Sequence, residues 1–483
     1  MKDTKAAHEV VHDTGLKRTM GSWGVLGMGV GAMVGFGWVV LAGGWITSAG
    51  PFGAATAMIC GGLMMALIAL IYAEMVAAMP HAGGEHNYII RGLGPRWSMI
   101  GSWAITGGYT MVIAFEAVAL PKALNYVVDL NHIKLWEVGG APVYLVWVLV
   151  GSLTAVAITV INILGVKLAS GVQLFVVLFL FLIGTFQVIG IFVGGNAQNL
   201  EPGFHGGAAG FFTVLLIVPF MFVGFDVIPQ TAEEVDLPPR RIGQLSVASV
   251  LIATAWYVAI ILFIGFSLSR ADVANSQLPA VDAMAAAWGS QFAANAVVAA
   301  GLAGILTSWN SLQMGASRLV FSLARGGMIP AWFGRLHPKF GTPANALIAL
   351  GACTVLAPLL GNVAIGWIAD ASSPMIVMAY LLVCITFVVL RKREPGMERP
   401  LRIGGKGNFG LVLGWLSIAV TAFLVALYVP GMPAQISWQS WLIFGGWWLV
   451  GIVFLLRIPG GVKPGEFAER DLLAIIEKRR SKR

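Results

Sequence analysis

Apolar positions along this chain come in long blocks, not in the one-sided stripes of a water-soluble helix. Twelve stretches run far enough to cross about 30 Å of hydrocarbon as helices. They lie near 20–48, 52–79, 98–128, 142–164, 168–194, 209–230, 244–268, 292–323, 344–361, 365–390, 409–430 and 439–457. The pattern predicts an all-α polytopic membrane protein with twelve transmembrane helices, counted here as spans 1–12. Polar residues are confined to short connections, a start over 1–19 and a basic tail over 458–483. No length remains for a soluble catalytic domain.

Two spans depart from the uniform apolar pattern. Span 1 carries glycine at 27, 29, 31, 35, 37, 43 and 44, although glycine costs about 1 kcal/mol relative to alanine at each helical position. Backbone unwound at membrane depth is tolerated only where it is buried in protein or lines a cavity. Span 6 has a second interrupted segment, VPFMFVGFDVIPQ at 218–230. Breaks are therefore expected at Gly35–Gly37 and at Val223–Gly224. Each broken span opens a block of five, and an odd number of spans inverts the second block relative to the first. The expectation is a 5+5 inverted repeat over 20–194 and 209–390, with spans 11 and 12 over 409–457 appended. A substrate site follows at the midplane where the breaks meet. Unwinding at Gly35-Phe36-Gly37 frees amide N–H groups at a half-helix amino end, where the helix dipole favours an anion.

The net charge of +8 changes this picture only through its placement. With the amino end in the cytoplasm, all but Lys122, Lys134 and Arg270 of the 30 Lys and Arg fall on the inner side, from Lys2, Lys5, Lys17 and Arg18 through Lys167 to the tail. That bias predicts both termini inside a plasma membrane and assigns the basic charge to topology and anionic lipid, not to nucleic acid. Cys60, Cys353 and Cys384 all fall in apolar spans and read as buried small hydrophobes. The tail from Pro464 interleaves Phe467, Leu472, Leu473, Ile475 and Ile476 with basic residues, an amphipathic helix suited to the inner leaflet.

Acidic residues inside spans are functional-site hypotheses by default. Glu116 lies six residues beyond Thr110, hence about 9 Å further outward at 1.5 Å per residue. Asp370 lies outward of Ser372. Both are expected to line an outer vestibule and attract a cationic amine. Glu74 and Asp226 read as packing and gating groups. Glu233 and Glu234 face Arg240 and Arg241 in one connection, with Arg91, Arg325 and Arg335 on neighbouring ones, a candidate inner gate of ion pairs. His86 could titrate near neutral pH but reads as a polar loop residue.

Five segments, GVGAMVGFG, YAEMVAAMPHAGGEHNYIIRGLG, FVGFDVIPQTAEEVDLPPRRI, ASRLVFSLARGGMIPAWFGRLHPKFGTP and YLLVCITFVVLRKREPGMERP, occur in order between residues 29 and 400. Together they resemble the amino acid–polyamine–organocation superfamily of transporters. The resemblance implies a LeuT-like fold and an amino acid or amine permease. By that resemblance the amides of Phe36 and Gly37, at the break opened by Gly35, hold a substrate carboxylate. The carbonyls of Met33, Phe220 and Val223 accept from its ammonium, and the Phe220 ring covers it. Thr106, Thr110, Leu312 and Ser372 are side-chain linings on the same basis. Relatives usually place a small residue between the two glycines, whereas Phe36 stands here and crowds or lines the pocket. Some proton-coupled relatives carry a lysine at the position of Leu180. Its absence leaves the coupling ion open, with a proton expected ahead of sodium, for which Thr307 and Ser308 would offer hydroxyls.

The expected function is secondary active transport of an amino acid or small cationic amine across the cytoplasmic membrane by alternating access. Exchange of such substrates is the nearest alternative. An integral-membrane enzyme lacks a catalytic constellation, since the seven histidines show no paired ligand spacing. A channel would need a continuous polar face or repeated filter. No catalytic residue, resident metal or cofactor is expected; the expected partners are the small-molecule substrate, a coupling ion and membrane lipid. The sequence sets neither oligomeric state nor exact substrate.

Overall fold

The computed structural model describes residues 18, 20–405, 407–432 and 435–481, apart from the side chains of 166–172 and 480. Most of the polar start, with Lys2, Lys5 and Lys17, lies outside the described residues, as does the Lys167 side chain.

The chain is helical almost throughout. In order, the helices are α1 (Ser22–Met33), α2 (Gly37–Ala49), α3 (Pro51–Ala78), α4 (Glu85–Leu93), α5 (Pro95–Asn125), α6 (Leu145–Leu164), α7 (Val166–Gly194), α8 (Gly207–Phe222) and α9 (Val227–Gln230). They continue as α10 (Pro239–Ser267), α11 (Arg270–Asn275), α12 (Pro279–Trp288), α13 (Gln291–Arg325), α14 (Ala344–Leu356), α15 (Ala364–Arg393), α16 (Phe409–Leu427), α17 (Trp438–Arg457) and α18 (Ala468–Arg480). Among the described residues, ten helical segments are long and apolar enough to cross a membrane, and α1 with α2, bent by 47°, makes an eleventh. The expected ninth span is shorter: α14 ends at Leu356, and the chain tightens into a 3-10 turn through Pro358 to Leu360.

Two kinds of helix are distinguished by what they bury. The most hydrophobic stretch of α5 is almost wholly enclosed by protein, and α5 packs along α13 and α15. By contrast, α17 leaves Leu449 70% and Leu456 79% exposed, an outward apolar face that suits lipid and not water. It is tied to α5 by Trp103 and Trp447, stacked 4.6 Å apart. Each indole N–H donates to the other's carbonyl, at 3.1 and 2.9 Å.

One end of the bundle carries α4 and α18 and is called here the α4 end. The tail helix α18, expected on the inner leaflet, docks its apolar face on protein: Leu472 and Ala468 are buried, and any side chain on Gly327 would strike Ile476. At the opposite end a small hairpin, β1 (Lys134–Val138) and β2 (Ala141–Tyr144), turns through Gly139 and Gly140 at φ 57° and 80°, the geometry of a two-residue turn that glycine accepts without strain.

Candidate functional site

Span 1 unwinds over Val34–Phe36, between α1 and α2. Val34 N still donates to Val30 O at 2.8 Å, and Gly35 N turns back to Met33 O at 3.0 Å. The amides of Phe36, Gly37 and Trp38, at the amino end of α2, have no backbone acceptor among the described residues. That exposed end is where the helix dipole and free donors favour an anion. Glycine is required at 35 because a Cβ there would lie 2.6 Å from Glu116 Oε1 and 3.0 Å from Ser308 Oγ. Helix α13 reaches the break through glycines of its own, Gly301 against the Phe36 ring and Gly304 against the Val34 and Gly35 carbonyls.

Span 6 breaks over Val223–Asp226, between α8 and α9. Val223 is extended and Gly224 sits at φ 133°, pressed on Ala32 of α1. The two breaks therefore touch. Asp226 Oδ1 accepts from Gly224 N at 2.8 Å, and Ser246 donates to Phe225 O at 2.9 Å. The Tyr257 hydroxyl of α10 lies 2.6 Å from Met33 O and 2.8 Å from Met221 O. One hydroxyl thus serves the carboxyl ends of both α1 and α8. Ser308 donates to Ala32 O at 2.8 Å, so the hydroxyl read as a possible sodium ligand caps a carbonyl that the break had freed.

Between the breaks lies a small cavity, about 20 Å³, room for about one water molecule. Met33, Gly35, Phe36, Gly37, Glu116 and Phe220 all line it. The sequence reading missed Val112, Phe115 and Met221, which join them. Phe220 meets Phe115 edge-on at 5.0 Å, and the Met221 thioether lies over Gly37. Glu116 sits at the break itself and not in a vestibule above it. Its depth had been counted from Thr110, but the face of α5 turned to the break is the one carrying Val112, Phe115 and Glu116. Glu116 is 1% exposed and its Oε2 has no hydrogen-bond partner.

The remaining expected linings are placed elsewhere. Thr106 donates to Ser102 O, Thr110 to Thr106 O and Ser372 to Ala369 O. Val223 and Leu312 are buried without lining the cavity. Asp370 lines a separate cavity of about 260 Å³. The Met33 carbonyl faces Tyr257 and Gly35 N, which leaves little of it for an ammonium in this conformation.

Beyond the breaks, the α4 end is closed by ion pairs whose partners differ from the expected ones. Arg240 and Arg241 are exposed. Glu234 instead meets Arg318 of α13 at 2.8 and 3.2 Å, with both side chains buried. Glu74 is held by Arg391, by Arg399 at 3.1 Å and by Ile403 N at 2.9 Å. Arg91 grips Glu394 at 2.7–3.3 Å. Helix α4, too short to cross a membrane, buries Glu85 and His86. Glu85 Oε1 accepts from the Tyr72 hydroxyl at 3.0 Å. Burial first, then the charge of Asp226, hold its carboxyl well above the usual carboxylate range. Burial also pushes the His86 imidazole down from its usual value, despite the opposing charge of Glu469. His86 is therefore a buried neutral side chain against Ser98 Oγ at 3.0 Å, not a polar loop residue.

A sequence profile described as amino acid permease matches residues 24–461. The branched-chain amino acid permease BcaP of Bacillus subtilis (strain 168) is 25% identical over 445 residues, 91% of this chain and 92% of that protein. The methylthioribose transporter of the same organism is 27% identical over 451 residues, 91% and 93% of the two chains. The lysine-specific permease LysP of Lactococcus lactis is 25% identical over 480 residues, 92% and 88%.

Proposed function

This chain belongs to the amino acid permease family, and from that premise we propose how it carries its substrate and which substrates it prefers. It is a multi-pass membrane transporter of amino acids. The observation that supports the finer reading is the contact between the two breaks around one cavity lined by Gly35, Phe36, Gly37, Glu116 and Phe220. The substrate carboxylate binds the free amides at the start of α2, its ammonium lies toward Glu116, and Phe220 covers it. The surrounding frame is twelve spans with both ends cytoplasmic, α14 serving as span 9. Residues 20–194 and 209–390 are inverted five-span repeats, 409–457 the appended pair and 458–483 a cytoplasmic tail. Thr106, Thr110, Val223, Leu312 and Ser372 contact substrate only in conformations in which these helices have moved. A cavity of about 20 Å³ admits no amino acid, so this conformation is occluded and substrate enters and leaves by opposed openings, with a proton as the coupling ion.

Glu116 sets the charge preference. A buried carboxylate costs several kcal/mol unless it meets a cation, a donor or a proton, so neutral and cationic amino acids or amines are accepted and acidic ones repelled. The test is uptake into proteoliposomes against a panel of unlabelled competitors. Saturable uptake is expected, with leucine and lysine competing and glutamate not. Glu116→Gln should raise the half-saturation concentration about tenfold for lysine and for leucine alike, because the α-ammonium common to both lies toward Glu116. Equal competition by glutamate, or unchanged lysine affinity in the variant, would overturn the assignment of Glu116.

A further inference from the structure

The separate cavity around Asp370 has chemistry of its own. It lies at the end of the bundle opposite α4, between the middle of α8, the start of α15 and the segment after α16. It is a half-open cleft of about 260 Å³ in which Asp370 is half-buried and Thr213 and Gln435 are exposed. It shares no lining residue with the cavity at the breaks. Its polar walls come from Thr213, Asp370, Ser373, Tyr428 and Gln435.

Hydrogen-bond accounting shows what such walls can accept. A hydroxyl has one proton to give and two lone pairs. Thr213 donates its proton to Ala209 O at 2.8 Å, Ser373 to Ala369 O at 3.3 Å and Tyr428 to Leu216 O at 2.6 Å. Ser373 and Tyr428 also hydrogen-bond each other, so all three hydroxyl protons are spent within the walls and what these oxygens have left is lone pairs. Gln435 Oε1 already accepts from Gly431 N at 2.8 Å. Asp370 has no hydrogen bond or ion pair with any described residue, and two of the three cations assigned to this end are engaged elsewhere: Lys134 with Glu137 and Arg270 with His205. Among the described residues the cleft combines one half-buried carboxylate with three spent hydroxyls, and the Gln435 amide N–H₂ is the donor in its walls.

We propose that this cavity is a second, peripheral binding site for a primary ammonium group, separate from the transport site at the breaks. A primary ammonium supplies what the walls lack, a positive charge together with three N–H donors. A carboxylate or phosphate would meet Asp370 and three acceptor oxygens and be repelled. Deepening the reading of the protein as a permease, the site holds the ammonium end of cationic amines at the outer face; that role rests on the reading, whereas the binding itself does not.

The test uses the full-length purified protein in detergent, with n-butylammonium and tetramethylammonium as probes and ligand-observed NMR as readout. Butylammonium should bind saturably, and tetramethylammonium, with the same charge and no N–H, at least tenfold more weakly. Asp370→Asn should weaken butylammonium binding at least tenfold, and Asp370→Glu should restore part of it. Thr213→Val, which removes one acceptor and no charge, should weaken it severalfold and serves if the Asp370 variants fail to fold. Phe220→Ala, at the other cavity, should leave the Asp370-dependent part of the binding unchanged. Equal binding of the two probes, full binding in both Asp370→Asn and Thr213→Val, or loss of the Asp370-dependent part in Phe220→Ala would overturn the second site. If wild-type protein takes up no amino acid yet shows Asp370-dependent ammonium binding, the transport reading fails and this site stands.

Discussion

At the scale of single residues, Tyr257 carries more than its place in the sequence suggests. Nothing about a tyrosine in AWYVAII announces that its hydroxyl serves carbonyls 224 and 36 residues away. Tyr257→Phe removes the one hydroxyl proton that Met221 O and Met33 O share, although Met33 O keeps its bond from Gly35 N; the loss is about 1–3 kcal/mol. Lowered thermal stability and slower uptake are expected, measured by melting in detergent and by initial rates; an unchanged variant would show that the two breaks hold without it. Glu85 and His86 make opposite predictions from adjacent positions. The folded protein keeps a proton on Glu85 that the unfolded chain releases above about pH 4.5, so this group's stabilisation is lost as pH rises toward its elevated folded value. The unfolded chain binds a proton on His86 below about pH 6.5 that the folded protein refuses, so stability falls as pH drops through that range. Between pH 5 and 8, the melting temperature of Glu85→Gln relative to wild type should climb with pH, and that of His86→Asn should climb as pH falls. Flat differences for both would mean that neither group titrates between the folded and unfolded states.

At the scale of elements, the breaks were legible because their signals are local. Glycines at 35, 37 and 224 interrupt apolar runs of spanning length, and the unwound turns fall at Val34–Phe36 and Val223–Asp226. What depends on helix rotation was not legible. Glu116 was placed above the break because its depth was counted from Thr110, whereas the face of α5 turned to the break is the one bearing Val112, Phe115 and Glu116, which begins about 200° round the helix from Thr110. The partner of Glu234 was missed for a related reason: Arg318 is 84 residues away, whereas Arg240 and Arg241 are close in sequence but turned to solvent. The tail shows the same limit. Its apolar positions predicted an amphipathic helix, and α18 is one, but periodicity does not say whether lipid or protein takes the apolar face. Here protein takes it, with Leu472 buried and Ile476 on Gly327. Leu472→Ala should cost about 2–5 kcal/mol of local docking energy. The expected outcome is faster proteolysis of the tail at its basic residues while the membrane spans stay protected. Unaltered cleavage would place the stabilisation of α18 elsewhere.

At the scale of the whole molecule, carrier and channel differ in whether the central cavity is ever open to both sides at once. The small volume between the breaks and the buried Glu234–Arg318 pair close the α4 end, proposed here as cytoplasmic. Phe220 on Phe115 and Met221 over Gly37 cover the cavity from the α8 side. Two barriers in series around one site are what alternating access requires, and opening either one exposes the same lining residues. Ser308 reports on both because it stands against Gly35 with its hydroxyl on Ala32 O. In a background with Cys60, Cys353 and Cys384 replaced by serine or alanine, Ser308→Cys should react with a membrane-impermeant thiol reagent only slowly from either side. Substrate should protect it, and a gradient that drives inward opening should shift its reactivity toward the inner side. Breaking the inner pair with Glu234→Gln should favour the inward-open form and raise inner reactivity further, because an unpaired buried Arg318 is stabilised by hydration. Simultaneous rapid labelling from both faces, insensitive to substrate, would mean a continuous pore. The two breaks would then be a hinge in a channel wall and not the halves of a carrier site.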